Sequence, residues 1–460
     1  MPKDYNNGSD FRKAGLYNKI MEIRDPIHGT MELRDEEVAV LDSVAFQRLR
    51  QIKQLGFSEF SFPGATHNRY LHSIGAAHVA GLIFDSVFRN FKFKSSGARS
   101  RLRQALRLAV LLHDIGHGPL SHASEEVMPK LAKLKVKAYK HFRKDLKLPA
   151  KVTDPKRQAN HEDYTIKFIT DSSLTKIFKK AFPDIDPLSV ACLVDKSLAA
   201  PDDFFIDGGI DFRSILSQIV SSELDADRLD YLERDAYFCG TNYGRIELEW
   251  LIANLTFCQV DKEMFLALNR RGLYAFDDFL LARHHMNLMV YFHHKAIVYE
   301  ETLMRYLTDP NCAFRLPADI EDYIDCTDYA LYQHLKSSKN EWARRISERR
   351  MYRMLFELHT TAEEKGQRSR KMETALEREG IPVILASSSI RLSKYHGEST
   401  IEKDFPIFVV DLYDRQSKPF PIEQTTMIFN KYDEIRRIER LYVPPEMHAK
   451  AEKFIISKKL

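Results

Sequence analysis

Between Leu111 and His122 the chain carries three imidazoles and a carboxylate (His113, Asp114, His117 and His122) at the end of an apolar run. Ala105 to Leu112 reads as a buried helix, and ionisable groups at the end of a buried helix need a partner. His113 and Asp114 share its last turn, so one nitrogen and one oxygen can reach a common point beyond it. His117 lies one turn further on, and Gly116, Gly118 and Pro119 stop the helix. Two readings follow from these residue types: ligation of a divalent metal, or a structural His-Asp hydrogen bond at a helix end.

Two adjacent ligands hold a metal weakly, so the first reading requires others. His72 stands near the start of a helix that follows the Pro63-Gly64 turn, and Asp227 lies in the charge-dense stretch Ser222 to Asp235. Asp227 and Tyr231 are four apart and share a helix face. The set is then His72, His113, Asp114 and Asp227, two nitrogen and two oxygen donors with coordination positions left open. Such a site suits hydrolysis of a phosphoester or phosphoanhydride. Arg69, Arg228 and Tyr231 would bind phosphate oxygens, and His117, His122 and His161 are the candidate proton donors. Glu125, three after His122, would orient it and keep it protonated.

The elements that must position these residues are largely helical. Lys19 to Leu33 is expected to form a short hairpin, and Asp35 to cap a helix running through Val38, Leu41, Phe46 and Leu49. Val79 to Phe91, the segment from His161 through Phe168, and Ile215 to Asp235 read as further helices, the last ended by Gly240 to Gly244. Arg283, Asn287 and Tyr291 form a polar stripe at helical spacing on an apolar helix. Their neighbours His284, His285, His293 and His294 read as pocket or surface histidines, because no carboxylate sits among them at ligand spacing. Trp342 to Arg378 is charged and helical in pattern, followed by β-rich runs at Ile381 to Ser387 and Pro406 to Tyr413 and a helix-prone tail. The expected architecture is mainly α: a polar, loose 1–18, a helical domain over 19–335, and a smaller α+β region over 336–460 that serves regulation or oligomer contacts.

At 460 residues and 44% hydrophobic, the chain can bury a large core. No apolar run is long enough to span a membrane, Met1 to Asp10 does not resemble a signal peptide, and the five cysteines form no Cys-x-x-Cys pair. A reduced, cytoplasmic protein is the expectation. Lys130 to Arg157 holds eleven Lys or Arg against two Asp. It reads either as a solvated helical insertion or as a basic rim that concentrates polyphosphate or weakly binds single-stranded nucleic acid.

The ligand order and its flanks resemble the HD-domain metal phosphohydrolases, in the branch of dGTPase-like and SAM-and-HD-domain dNTP triphosphohydrolases. The resemblance runs from Ile23 to His294 through Asp25 to Gly29, Phe46 to Gly56, Phe62 to Ser73, His113 to His122, His161-Glu162 and Leu224 to Asp235. It implies an HD-domain helical core and attack of water on the α-phosphorus of a dNTP, giving deoxynucleoside and intact triphosphate. By that resemblance a transition metal (Mn, Fe, Co or Ni) occupies the His/His/Asp/Asp site and Mg accompanies the phosphates. His117 and His161 would line the α-phosphate, and His122 with Glu125 would protonate the leaving 5′-oxygen. Gln54 and Asp235 would hold the 3′-hydroxyl, Leu55 and Tyr291 would exclude ribonucleotides, and Arg283 and Asn287 would complete the substrate pocket. Asp42, Gln47 and Arg50 match a regulatory site for dGTP or GTP, which implies a nucleotide-activated homotetramer or a homodimer. Leu71, Arg24, Asn287 and Phe292 depart from residues found in relatives, and Arg228 replaces a lysine with the charge kept. Other readings of the same metal core are hydrolysis of a nucleoside monophosphate, a cyclic or short oligonucleotide or guanosine tetraphosphate, and a non-catalytic nucleotide or nucleic-acid sensor.

Overall fold

The computed structural model describes residues 20–146, 148–361, 367–390, 405–414, 418–425, 428 and 436–458. The expectation for 1–18 lies outside them. The chain is mainly α, with small sheets at its periphery.

The expected hairpin is present: Ile20–Asp25 pairs antiparallel with Gly29–Arg34. Asp25 closes its turn, its Oδ1 accepting the Ile27 and His28 backbone N–H groups at 2.9 Å. Gly29 has a φ of +71°, which glycine adopts freely. The helix expected from Asp35 is shorter. It covers Asp35–Leu41 with Arg34, not Asp35, at the N-cap, and the chain restarts as Val44–Gln47 and a tight 3-10 turn over Arg48–Gln51. Ser43 makes the break, its Oγ accepting the Phe46 N–H at 3.2 Å.

Three helices carry the centre: Arg69–Val87, Ala98–Leu112 and Ala226–Cys239. The first is buried along nearly its whole length because the other two pack against it. Asn68 opens it, Oδ1 accepting the Leu71 N–H at 3.1 Å. Arg107 ties the second to the N-terminal helix through a buried ion pair with Glu37, at 2.7 Å. Ile215 to Asp235 is not one helix. Arg213–Val220 ends, and Asp225 starts Ala226–Cys239 by accepting the Arg228 N–H at 2.8 Å and the Ser222 N–H at 2.9 Å.

Among its described residues, Lys130 to Arg157 is helical only in single turns, Leu131–Leu134, Lys137–Lys140 and Ala150–Thr153. Leu131 and Leu134 anchor it in the core while Lys133, Lys135 and Lys137 face solvent.

The C-terminal region is α+β, but its elements differ from the pattern in Trp342 to Arg378. Glu341–Ser347 is helix, Arg353–Thr361 is strand and Gln367–Arg378 is helix again. The tail contains a second unexpected strand, Arg436–Val443, before its helix His448–Lys458. That strand is the centre of a three-stranded antiparallel sheet with Arg353–Thr361 and Ile384–Ile390 on either side. The other β run forms only Phe408–Val410, which pairs in parallel with Glu263–Asn269. Ile407 and Val409 thereby enter the main core, and Gln218 Nε2 donates to the Phe405 and Pro406 carbonyls at 3.0 and 2.9 Å. This segment crosses back over the 335/336 division. Among the described residues, no helix is long and apolar enough to cross a membrane.

Candidate active site

The three central helices deliver the four expected ligands to one point. His72 comes from the first turn of Arg69–Val87, His113 and Asp114 from the end of Ala98–Leu112, and Asp227 from the first turn of Ala226–Cys239. His72 Nε2 lies 3.0 Å from Asp227 Oδ1 and 3.6 Å from Asp114 Oδ2. His113 Nε2 lies 3.2 Å from Asp114 Oδ1 and 3.5 Å from Asp227 Oδ1. Both Nε2 atoms are buried and have no hydrogen-bond partner. Their opposite nitrogens are engaged: His72 Nδ1 with Asp230 Oδ2 at 2.7 Å, His113 Nδ1 with the Val110 carbonyl at 2.6 Å. That leaves each Nε2 as the free ligand nitrogen, the arrangement metal-binding histidines use. The donor set fits a divalent metal.

The support behind His72 was not foreseen. Asp230 also accepts from His28 Nε2 at 2.6 Å and from Arg234, which in turn reaches Asp25 at 2.9 Å. The available signal was the density of charge around Asp227, with Asp230 three residues on and Arg234 at i+4 from it. Burial works against ionisation of Asp114, but Arg69 and His113 hold its carboxyl well below the usual range. Burial likewise opposes the His72 imidazolium, which the neighbouring Asp227 and Asp230 carboxylates raise to about 10.

Beside this quartet stand His117, His122, Glu125 and His161. The His117 and His161 rings stack at 3.8 Å, and His122 meets both edge-on. Glu125 was expected to orient His122; it lies 3.4 Å from His122 Nδ1 and makes a shorter hydrogen bond to His161 Nδ1. Burial, Arg69 and His161 push the His117 pKa well below the ordinary imidazole value. His161 is also penalised by burial, but Glu125 outweighs this and raises it. The two stacked rings are therefore driven to opposite charge states. Gly116 lets the loop approach His161 closely: a Cβ there would strike the His161 carbonyl and the Thr165 N–H. Arg48 Nη2 holds the loop from the other side, donating to the His117 carbonyl at 2.7 Å.

His113, Asp114 and Asp227 of the quartet, with His117, His122 and His161, open onto a cavity of about 640 Å³, and His72 is buried behind them. All nine expected substrate residues line it: Gln54, Leu55, Arg69, Arg228, Tyr231, Asp235, Arg283, Asn287 and Tyr291. Arg69 pairs with Asp114 and donates to Ser121 Oγ at 2.8 Å, Arg228 pairs with Asp225 at 3.1 Å, and Arg283 with Glu223 at 2.9 Å. Asp235 is held between His67 Nε2 at 2.7 Å and the Tyr291 hydroxyl at 2.8 Å. Gln54 Oε1 is buried without a partner. Asn287–Tyr291 is a π-helical turn, a widening that brings Asn287 and Tyr291 onto the cavity wall. Asp42, Gln47 and Arg50 lie outside the cavity: Arg50 Nε donates to Gln47 Oε1 at 2.7 Å, and its guanidinium covers Tyr70 at 3.6 Å. Neither metal-capable group among the described residues includes His284, His285, His293 or His294.

Residues 69–175 match the family described as HD domain, and 246–380 the family described as HD associated region. The chain is 29% identical over 272 residues to the uncharacterized protein YwfO of Bacillus subtilis, covering 59% of this chain and 51% of that protein. It is 28% identical over 352 residues to the deoxynucleoside triphosphate triphosphohydrolase SAMHD1 homolog of Dictyostelium discoideum, covering 73% of this chain and 58% of that protein. For the human deoxynucleoside triphosphate triphosphohydrolase SAMHD1 the figures are 26% over 394 residues, 80% and 58%. The chain thus spans between half and three fifths of the length of the curated relatives it matches. Among solved structures, a hypothetical protein of Aquifex aeolicus superposes with a TM-score of 0.69 at 24% identity, covering 95% of this chain and 100% of that one. A phosphohydrolase of Bacteroides thetaiotaomicron superposes with a TM-score of 0.63 at 20% identity, covering 92% and 100%. Both are likenesses of fold. The matched families, together with the helical core that carries the His/His/Asp/Asp set, show that the chain contains an HD domain followed by an HD-associated region.

Proposed function

We propose that the chain hydrolyses deoxynucleoside triphosphates to deoxynucleoside and inorganic triphosphate. The observation that carries this reading is the convergence of His72, His113, Asp114 and Asp227 at one edge of a cavity that His113, Asp114 and Asp227 line together with Arg69, Arg228 and Arg283. A divalent transition metal, Mn, Fe, Co or Ni, fits these four residues, and when bound it polarises a phosphoryl oxygen and acidifies water. The three arginines and Tyr231 bind the triphosphate, with Mg shared among its oxygens. Gln54 and Asp235 hold the sugar 3′-hydroxyl, and Leu55 and Tyr291 close the space a 2′-hydroxyl would need.

Water adds to the α-phosphorus as the bond to the 5′-oxygen breaks, and the proton that this oxygen needs comes from the histidine group. His161, kept cationic by Glu125, orients the α-phosphate together with neutral His117, and His122 delivers the proton. On the same reading dGTP or GTP binds at Asp42, Gln47 and Arg50 and promotes a homotetramer.

The test is product identity. Protein loaded with Mn²⁺ and given each dNTP is expected to release tripolyphosphate, detected by ion chromatography. Release of orthophosphate or pyrophosphate alone would assign the site to another nucleotide hydrolysis.

A further inference from the structure

The cavity wall holds one half-buried carboxyl group that the reaction described above does not use. Glu300, on the helix His294–Leu307, lines the wall close to Gly56, Ser58 and Phe292. Gly56 and Phe292 are the chain neighbours of Leu55 and Tyr291, the expected sugar contacts, on the same wall. The other acids on the wall have assignments. Asp114 and Asp227 belong to the quartet, Asp235 is shared by His67 and Tyr291, and Glu162 is exposed to water at the mouth. Glu300 is half-buried, and among the described residues no hydrogen bond or ion pair to it is found. Burial and the neighbouring Glu301 raise its pKa to about 7, with no cation opposing them. An acid held this way is costly for the empty protein and is offset when a ligand brings N–H donors to it.

We infer that Glu300 reads the nucleobase, its carboxylate accepting the adjacent N1–H and N2–H donors of guanine. This rests on the nucleotide reading of the cavity. A carboxylate offers two acceptors side by side, and guanine is the base that presents two parallel donors on one edge. Adenine and cytosine set a donor beside an acceptor, and thymine sets one donor between two carbonyls. Leu55 and Phe292 supply the apolar walls that a flat ring needs. The inference makes the cavity selective for deoxyguanosine nucleotides.

The test separates base recognition from catalysis by using nucleosides, which lack the phosphates that the arginines bind. Deoxyguanosine, deoxyinosine and deoxyadenosine are titrated by saturation-transfer NMR into the full-length protein and into Glu300→Gln. Deoxyguanosine is expected to bind best, and deoxyinosine, without the N2 amine, more weakly. The glutamine amide pairs one acceptor with one donor, so the variant is expected to shift the deoxyguanosine-to-deoxyadenosine affinity ratio toward adenine by roughly tenfold or more. The ratio of kcat/KM for dGTP over dATP should fall in parallel. Equal affinity of the wild-type protein for the three nucleosides, or an unchanged ratio in the variant, overturns the assignment. Should the variant fail to fold, the wild-type ranking alone decides. Because nucleoside binding needs no turnover, failure of tripolyphosphate to appear would sink the proposed reaction while leaving this ranking to judge Glu300.

Discussion

Asp230→Asn tests the support behind the metal site more sharply than removal of a ligand. Asp230 is fully buried and accepts four N–H groups: His28 Nε2 at 2.6 Å, His72 Nδ1 at 2.7 Å, and Arg234 Nε and Nη2 both at 2.8 Å. An asparagine keeps the volume but has one acceptor oxygen and turns an NH₂ group against a donor. If its oxygen faces Arg234, His72 loses the partner that leaves Nε2 free for ligation. Losses of this kind cost about 10–100-fold in metal affinity, or about 1.4–2.7 kcal/mol. Arg234 keeps Asp25 at 2.9 Å, so the fold should lose about 2–4 kcal/mol and survive. Competition with a chromophoric chelator measures the metal dissociation constant, and urea unfolding of metal-free protein measures the stability. A folded variant with an unchanged metal dissociation constant would refute the idea that Asp230 sets the His72 tautomer.

The remaining predictions concern the histidine group, the cavity and the basic segment. Glu125→Gln removes the charge that raises His161, so the alkaline limb of the kcat profile should move to lower pH. The sign follows from the raised value: the stabilisation from this pair is complete below the unfolded imidazole pKa and is lost as pH rises through the folded one. Gly116→Ala should cost about 1–3 kcal/mol and most of the activity, read by urea unfolding and kcat, because the methyl group meets backbone at His161 and Thr165. Tyr291→Ala should raise ribonucleotide hydrolysis relative to dNTP hydrolysis while metal content, measured by elemental analysis, stays at the wild-type level. If the basic segment binds single-stranded nucleic acid, Lys133→Ala, Lys135→Ala and Lys137→Ala together should reduce the slope of log affinity against log salt by about 2 in a filter-binding titration.

Much of the site was readable before the fold because its residue types have few other uses. A buried helix ending in His113 and Asp114 demands a partner, and that demand led to His72 and Asp227. Asp230 was hidden by its neighbours, since an acid in a dense charged run also reads as a solvated face. Glu300 was hidden the same way, one acid beside another on an amphipathic helix. The helix breaks at Ser43 and Asp225 went unread because apolar spacing runs across both, and the decisive event at each is a side-chain oxygen capturing a backbone N–H. The strands Arg353–Thr361 and Arg436–Val443 carry Arg and Glu among their apolar residues, a composition that also suits helices. Their tertiary pairing with each other, and that of Arg436–Val443 with Ile384–Ile390, decides them.

The parallel pairing of Phe408–Val410 with Ala267–Asn269 has a mechanical consequence. Asn269 Oδ1 accepts the Arg271 N–H at 3.3 Å and so starts the turn that leads into Leu273–Met286, the helix bearing Arg283. The Phe408–Val410 segment is thus geared to the cavity wall at Arg283 through one ribbon of backbone. A displacement of that late strand would be transmitted directly to an arginine on the cavity wall, with no separate hinge required.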